Sequence, residues 1–139
     1  MVTVNAHQLR DIIEEGENDR IEFKRCGNQP EKDLFETICA FANTFGGTIL
    51  LGVEDDGSLT GIDPAQVLPV TRNVLNVVNN SNAFDVPVSM EFEHIEIGNR
   101  QIIKIDVPNS PQMHSYKGRV YERRGDADVV VRGSAPLAE

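Results

Sequence analysis

The sequence predicts an α+β domain with a mixed, mostly antiparallel sheet and about three helices. Two observations predict this class. Hairpin turns and crossover helices are interspersed along the 139 residues, and no repeat or change of composition marks a domain boundary. Because 40% of the residues are apolar, a chain of this length can bury a core of its own. We therefore expect residues 1–139 to form a single domain.

Three helices are expected from capping residues and from apolar side chains at helical spacing. The first occupies 5–16, with asparagine as its N-cap and glycine as its stop signal. The second occupies 30–47, where proline opens the first turn and a glycine pair ends the last. The third occupies 63–82, from an Asp-Pro start to a run of polar residues.

Strands are expected where apolar residues alternate with polar ones or run together. Residues 20–25 alternate, which predicts a strand with one solvated face, whereas 48–53 are almost wholly apolar and predict a central strand covered on both faces. Hairpin turns are predicted at 56–57 and 98–99. The remaining predicted strands are 59–62, 86–97, 102–107, 118–124 and 129–131.

The net charge of −9 limits the partners that the chain attracts. Residues 1–115 hold 8 Lys/Arg against 18 Asp/Glu, whereas 116–132 hold five against three. An acidic chain does not attract nucleic acid at long range, so such a role needs a local basic strip or metal ions. No apolar stretch is long enough for a membrane helix, no signal-peptide pattern is visible, and only two cysteines occur. We expect a cytoplasmic protein without a membrane partner.

Glu17, Glu22 and Lys24 form the first candidate site. The two-residue period of a strand puts Glu22 and Lys24 on one edge, which Glu17 can reach. Converging carboxylates repel one another unless a cation or a shared proton offsets their charge. A divalent ion is the usual solution where phosphate is the substrate, and Lys24 can then neutralise developing charge. Alternating charges on a surface strand explain the same pattern without any function.

The acidic turn at 54–57 is the second candidate. Asp56 and Gly57 are explained by the hairpin alone, because aspartate bonds its own backbone and glycine accepts a positive φ. That leaves Glu54 and Asp55 at the mouth of a buried strand. They are either solvated turn residues or ligands for something positive.

A basic strip near the C-terminal end is the third candidate. Arg123 and Arg124, with Lys117 and Arg119, can bind phosphate or balance nearby acids. The chain has no phosphate-loop or GxGxxG motif and no Cys-x-x-Cys, so the residues predict no nucleotide or zinc site, and no cofactor is certain.

Together these segments resemble the AlbA-like (Schlafen) domain family over about residues 9–125. The resemblance is carried by Glu17, the EFK run at 22–24, AFANTFGG at 40–47, GVEDDG at 52–57, Gly61, and the Y-x-R-x-G pattern at 121–125. It implies an α+β domain that binds DNA or RNA, similar to transcriptional regulators. Residues expected to contact or border the nucleic acid are Lys24, Arg25, Lys117, Arg119, Arg123 and Arg124.

The Schlafen branch of the family implies an alternative, an endoribonuclease that acts on structured RNA with Mg²⁺ or Mn²⁺. The resemblance assigns the metal ligands to Glu17, Glu22 and either Glu54 or Asp55, with Lys24 assisting catalysis. The larger nucleases use a paired arrangement, which this chain would reach as a homodimer. A third interpretation is a non-catalytic protein-interaction module whose acids are merely solvated.

Overall fold

The computed structural model describes residues 6–27 and 30–131. Its three α-helices are α1 (Ala6–Glu15), α2 (Leu34–Asn43) and α3 (Val67–Val78), and a short 3₁₀ turn, Pro64–Gln66, precedes the last. Its strands are β1 (Ile21–Lys24), β2 (Gly47–Leu51), β3 (Glu91–Ile97), β4 (Arg100–Val107), β5 (Tyr121–Arg124) and β6 (Ala127–Val130).

A four-stranded sheet in the order β1-β2-β4-β3 forms the centre of the molecule, and β5 and β6 pair separately as a hairpin. β1 and β2 are parallel, and the other pairs are antiparallel. The predicted α+β class with three helices and a mostly antiparallel sheet is confirmed. No helix in the described part of the chain is long and apolar enough to cross a membrane.

The central strand β2 is buried on both faces, as its apolar run predicts. Ile49 and Leu51 belong to the larger core cluster, which α2 and α3 share, whereas Leu50 belongs to a smaller cluster with Leu9 of α1. Alternation along the strand therefore sends successive side chains into two separate cores. Burial on this scale is the main stabilising term of the fold.

Four local predictions are corrected. Strand β1 has no solvated face at its polar positions, because Glu22 is only 8% exposed and Lys24 only 7%. The second helix begins at Leu34 rather than at Pro30, since Pro30 instead forms a bridge with Cys26. The strand predicted to begin at 86 is regular only over β3. The strand predicted at 59–62 does not form, because Leu59 makes only an isolated bridge with Val53. The predicted N-cap of α1 lies outside the described residues.

Candidate functional site

A polar cleft of about 240 Å³, here called the acidic cleft, lies at one end of the sheet. It is lined by Glu17, Glu22, Phe23, Lys24, Arg25, Glu31, Asp33, Glu54 and Asp55. The parallel pairing of β1 and β2 brings Lys24 opposite Leu51, so the chain leaving β2 carries its acidic turn to the side of Lys24. All five residues predicted as catalytic therefore line one cleft.

Glu22 is the most constrained carboxylate of the acidic cleft. Its Oε1 lies 2.7 Å from a guanidinium nitrogen of Arg123, and its Oε2 lies 3.3 Å from Lys24 Nζ. Burial raises the pKa of Glu22 to about 7, and a hydrogen bond with Glu17 acts in the same direction, whereas Lys24 and Arg123 oppose it. This carboxyl group therefore changes its protonation near neutral pH.

Lys24 holds a fixed positive charge at the base of the cleft. Its Nζ contacts Asp33 at 2.9 Å as well as Glu22. Burial by itself lowers the pKa of Lys24, but the hydrogen bond to Asp33 and the charge of Glu22 outweigh that effect and raise it. The ammonium group is therefore retained although it is almost inaccessible to solvent.

The remaining carboxylates of the cleft differ in their hydrogen bonds and in their exposure to solvent. Oε2 of Glu17 accepts a hydrogen bond of 2.9 Å from the backbone N–H of Phe23. Glu54 accepts one of 3.1 Å from the Thr60 hydroxyl, and its other oxygen lies 3.7 Å from Arg25 Nε. Asp55 is exposed at the rim. Glu54 and Asp55 are therefore the acids that an incoming molecule meets first.

The basic residues predicted to bind nucleic acid do not form one strip. The side chain of Arg123 is fully buried and bonds Glu22, Asp128 and the backbone carbonyl of Asn18. Arg124 is exposed and pairs with its strand neighbour Glu122, with their nearest atoms 2.5 Å apart. A phosphate cannot reach Arg123 in this arrangement, because the guanidinium group is buried and already paired with carboxylates of the protein.

The other predicted cations divide between two places. Arg25 is exposed at the rim of the acidic cleft, whereas Lys117 and Arg119 project from a tight turn outside it. The conformation of this turn is fixed by reciprocal hydrogen bonds between Tyr116 and Arg119.

The family model described as Schlafen, AlbA_2 matches residues 17–132, which includes every residue of the acidic cleft. The chain belongs to this family. No curated protein sequence matches this Schlafen, AlbA_2 chain. Among solved structures it is similar to the N-terminal domain of a protein from Nitrosomonas europaea, described as related to the ATP-dependent DNA helicase RecG. The identity is 26%, the TM-score is 0.60, and the match covers 94% of this chain and 97% of that one.

A second similar structure is the DIP2311 protein from Corynebacterium diphtheriae, with 18% identity and a TM-score of 0.60. The match covers 90% of this chain but only 26% of that one, so this chain spans about a quarter of that protein's length. At this identity the similarity shows the fold alone.

The acidic cleft does not present a ready-made metal centre. Within 6–27 and 30–131, no group of three His, Cys, Asp or Glu side chains is arranged to hold an ion. Both oxygens of Glu22 are paired with cations, and Glu17 is bonded to the backbone. The residues as arranged do not fit Mg²⁺ or Mn²⁺. The metal ligands implied by the resemblance stay a prediction.

Several residues that build this region were not predicted from the sequence. Asp33 and Glu31 complete the cleft, and Asp128 is the second partner of Arg123. Asp33 has the appearance of an ordinary acid near a helix start, and Asp128 that of a charged residue in a hairpin. Their roles depend on contacts between distant segments, which periodicity does not reveal.

Proposed function

We propose that this Schlafen, AlbA_2 domain binds nucleic acid and that the acidic cleft is part of the binding surface. The observation that carries the proposal is the convergence of Glu17, Glu22, Lys24, Glu54 and Asp55, from three separate segments, on one open polar cleft. Buried charges with a shifted pKa in a cleft are a recurrent feature of functional sites, although structural ion-pair networks shift pKa values as well. The relation of the Nitrosomonas domain to a DNA helicase favours nucleic acid as the ligand.

The chemistry of the cleft indicates which part of a nucleic acid enters it. Six carboxyl groups face two cations there, so the cleft repels a phosphate unless a cation turns to face it directly. Carboxylates instead accept hydrogen bonds from the amino groups of bases and from the ribose 2′-hydroxyl. Such groups are accessible in single strands, loops and ends. We therefore expect single-stranded DNA or RNA to present a base or a sugar to Glu54 and Asp55.

Fluorescence anisotropy with labelled 12-nucleotide DNA and RNA strands tests this function. We expect binding in low salt that weakens as NaCl rises, because phosphates must contact cations somewhere on the domain. Asp55→Asn should weaken binding about three- to tenfold, as expected for loss of a hydrogen bond to a charged group. Its matched control is Asp126→Asn, which removes the same charge from an exposed turn outside the cleft.

The two outcomes that contradict the proposal are distinct. If the wild-type chain binds no strand in low salt, the domain is not a nucleic-acid-binding module. The alternative of a protein-interaction module is then favoured. If Asp55→Asn and Asp126→Asn bind equally well, the acidic cleft is not part of the surface. The nucleic acid would then bind at another face of the domain.

The second candidate function is RNA cleavage, and the pKa of Glu22 near 7 beside the charged Lys24 favours it. A general base is most efficient when its pKa lies near the working pH. In this mechanism Glu22 takes the proton of a ribose 2′-hydroxyl, the 2′ oxygen attacks the adjacent phosphorus, and the 5′ oxygen leaves with a proton from water. For this step Lys24 leaves its partners Glu22 and Asp33 and turns to the scissile phosphate, which frees one oxygen of Glu22 and lets the ammonium group stabilise the negative charge that develops on the phosphoryl oxygens.

A cleavage assay on hairpin RNA decides this candidate. We expect Glu22→Gln to reduce the rate by at least a hundredfold, whereas Glu96→Gln on the exposed side of β3 leaves it unchanged. A substrate with 2′-deoxyribose at the cleaved position should resist. Cleavage that a chelator abolishes would support the Mg²⁺ or Mn²⁺ mechanism of the resemblance instead. Activity that survives Glu22→Gln would contradict both mechanisms.

A further inference from the structure

A second cleft, of about 350 Å³, lies between α2, α3 and the turn at 116–119. We propose that this basic cleft holds a backbone phosphate of the same single strand that presents its next sugar or base to the acidic cleft. The inference rests on the proposed function. The residues that carry it are Lys32, Lys117, Asn73, Asn80 and Tyr116.

The charge of the basic cleft contrasts with that of the whole molecule. Two of the chain's four lysines line it, and no described aspartate or glutamate does, although the chain has 22 such residues. Neither Lys32 nor Lys117 forms an ion pair with a described residue. Two ammonium groups without an ion-pair partner therefore line one cleft of a strongly acidic protein. Such a cleft attracts an anionic ligand.

Lys117 is held in a conformation that most residues avoid. Its φ is +51°, and its backbone N–H donates to the carbonyl of Ala83 over 2.7 Å. A non-glycine residue in the left-handed region costs about 1 kcal/mol or more, and such strain is concentrated at functional sites. The turn therefore presents the lysine from a fixed backbone, with its Nζ 5.5 Å from the centre of the Tyr116 ring.

The other lining groups suit a sugar-phosphate unit. Asn73 and Asn80 lie exposed on α3 and just beyond it. Oδ1 of Asn80 accepts from the backbone N–H of Asn82, which leaves the amide NH₂ as the donor end of this side chain. Tyr116 and Phe35, with ring centres 5.9 Å apart, give the cleft an apolar base. Ammonium and amide donors above an aromatic surface match a phosphate joined to a sugar or a base.

The segment 30–33 separates the two clefts. Its alternate residues serve opposite sides: Pro30 and Lys32 line the basic cleft, whereas Glu31 and Asp33 line the acidic one. Because consecutive Cα atoms are about 3.8 Å apart, these alternating residues place the two clefts on either side of one short segment. A single nucleic-acid strand that crosses this segment would place a phosphate among the donors of the basic cleft. Its following sugar or base would then lie among the acceptors of the acidic cleft.

Salt titration of the binding of a labelled 12-nucleotide strand tests the inference. We expect Lys32→Gln and Lys117→Gln each to weaken binding and to reduce the slope of log K against log salt by about 0.7, the value for one phosphate contact on a single strand. Arg10→Gln on α1 is the matched control, because it removes an exposed cation outside both clefts. Circular dichroism melts confirm that each variant is folded.

Chemical-shift titration with inorganic phosphate supplies an independent measurement. In the wild-type chain, phosphate should shift the backbone amide signals of Lys32 and Lys117, and the double Lys→Gln variant should lose this response. Strands with a 5′-phosphate and with a 5′-hydroxyl should bind equally, because the proposed ligand is an internal phosphate. A strict need for the terminal phosphate would overturn the inference.

The failure of this inference differs from the failure of the proposed function. If the wild-type chain binds the strand and both lysine variants keep its affinity and salt slope, the basic cleft is refuted and nucleic-acid binding stands. If the wild-type chain binds no strand at all, the proposed function is refuted, and the inference with it.

Discussion

Asn43 shows how one side chain can join distant segments of this domain. Its Nδ2 donates to the carbonyls of His114 and Tyr121, both at 2.9 Å, and its Oδ1 accepts from the N–H of His114 at 2.8 Å. The next residue, Thr44, accepts from the N–H of Arg123. The ANT part of the family motif thus holds the loop before β5, and β5 itself, against the end of α2.

Asn43→Ala should therefore lower the free energy of unfolding by about 2 to 3 kcal/mol, because three partly buried backbone groups lose their partner. Urea unfolding measures the effect. The control is Asn76→Ala, at an exposed position of α3, where a change within about 0.5 kcal/mol is expected. Equal effects of the two substitutions would show that Asn43 does not anchor this loop.

The buried Glu22 makes stability depend on pH in an unusual direction. Its pKa rises from an ordinary 4.5 to about 7 on folding, so the folded state binds the extra proton between these values. Stability from this group is present at low pH and is lost as pH rises from about 4.5 to about 7. The loss amounts to about 1 to 3 kcal/mol.

Urea unfolding of the wild-type chain and of Glu22→Gln at several pH values isolates this effect, since the other carboxyl groups titrate in both proteins. Relative to the variant, the wild-type chain should lose stability between pH 4.5 and 7 and change little above. A relative gain over the same interval would mean that Arg123 and Lys24 keep Glu22 ionised and that burial does not dominate its pKa.

At the scale of elements, the junction between α2 and β2 depends on close backbone approach. Gly46 has a φ of +75°, and a Cβ there would lie 2.7 Å from the carbonyl oxygen of Val107. A Cβ on Gly47 would meet the ring of Phe41 at 2.7 Å. The glycine pair therefore ends the helix and also lets β2 begin beside β4.

Gly46→Ala should be clearly more destabilising than Gly98→Ala. Gly98 also has a positive φ, +62°, but a Cβ there meets nothing within 4 Å. Gly98→Ala thus measures the conformational cost alone, about 1 kcal/mol, and Gly46→Ala adds a backbone clash to it. Thermal melts of both variants separate the conformational cost of a positive φ from the cost of the backbone clash. Equal melting temperatures would mean that the junction relaxes around a methyl group.

Periodicity explains why most elements could be predicted from the sequence. Strand β2 was predicted from an apolar run and the two hairpin turns from Asp-Gly and Gly-Asn, and these signals are local. The burial of Glu22 and Lys24 was missed because β5 lies about 100 residues further along the chain. Its Arg123 reaches the backbone carbonyl of Ile21 and turns an apparent surface strand into an interior one.

For the site, the sequence indicated which acids lie in one cleft but not how they are paired. Glu17, Glu22, Glu54 and Asp55 do line one cleft, which their chemistry and the family resemblance suggested. The partners of Glu22 could not be predicted, since Arg123 looked like a phosphate contact in a basic strip. An isolated sequence cannot distinguish an arginine that balances a buried acid from one that binds a ligand.

For the whole molecule, the net charge of −9 is the property whose effect on stability depends most directly on the salt concentration. Exposed acids, including Asp55 and Glu31, repel one another over distances longer than a single contact. Raising the salt from 0.01 to 0.1 M shortens the Debye length from about 30 to about 10 Å. We expect the melting temperature to rise by about 3 to 5 °C, corresponding to about 1 kcal/mol.

The double variant Asp126→Asn with Glu96→Gln changes the net charge from −9 to −7 and serves as the comparison. Both residues are exposed, and neither lines the acidic cleft. If self-repulsion governs the salt response, this variant melts higher than the wild-type chain in 0.01 M salt and gains less from added salt. A melting temperature that falls with salt in both proteins would instead mean that attractive pairs such as Arg124–Glu122 outweigh the repulsion between exposed acids.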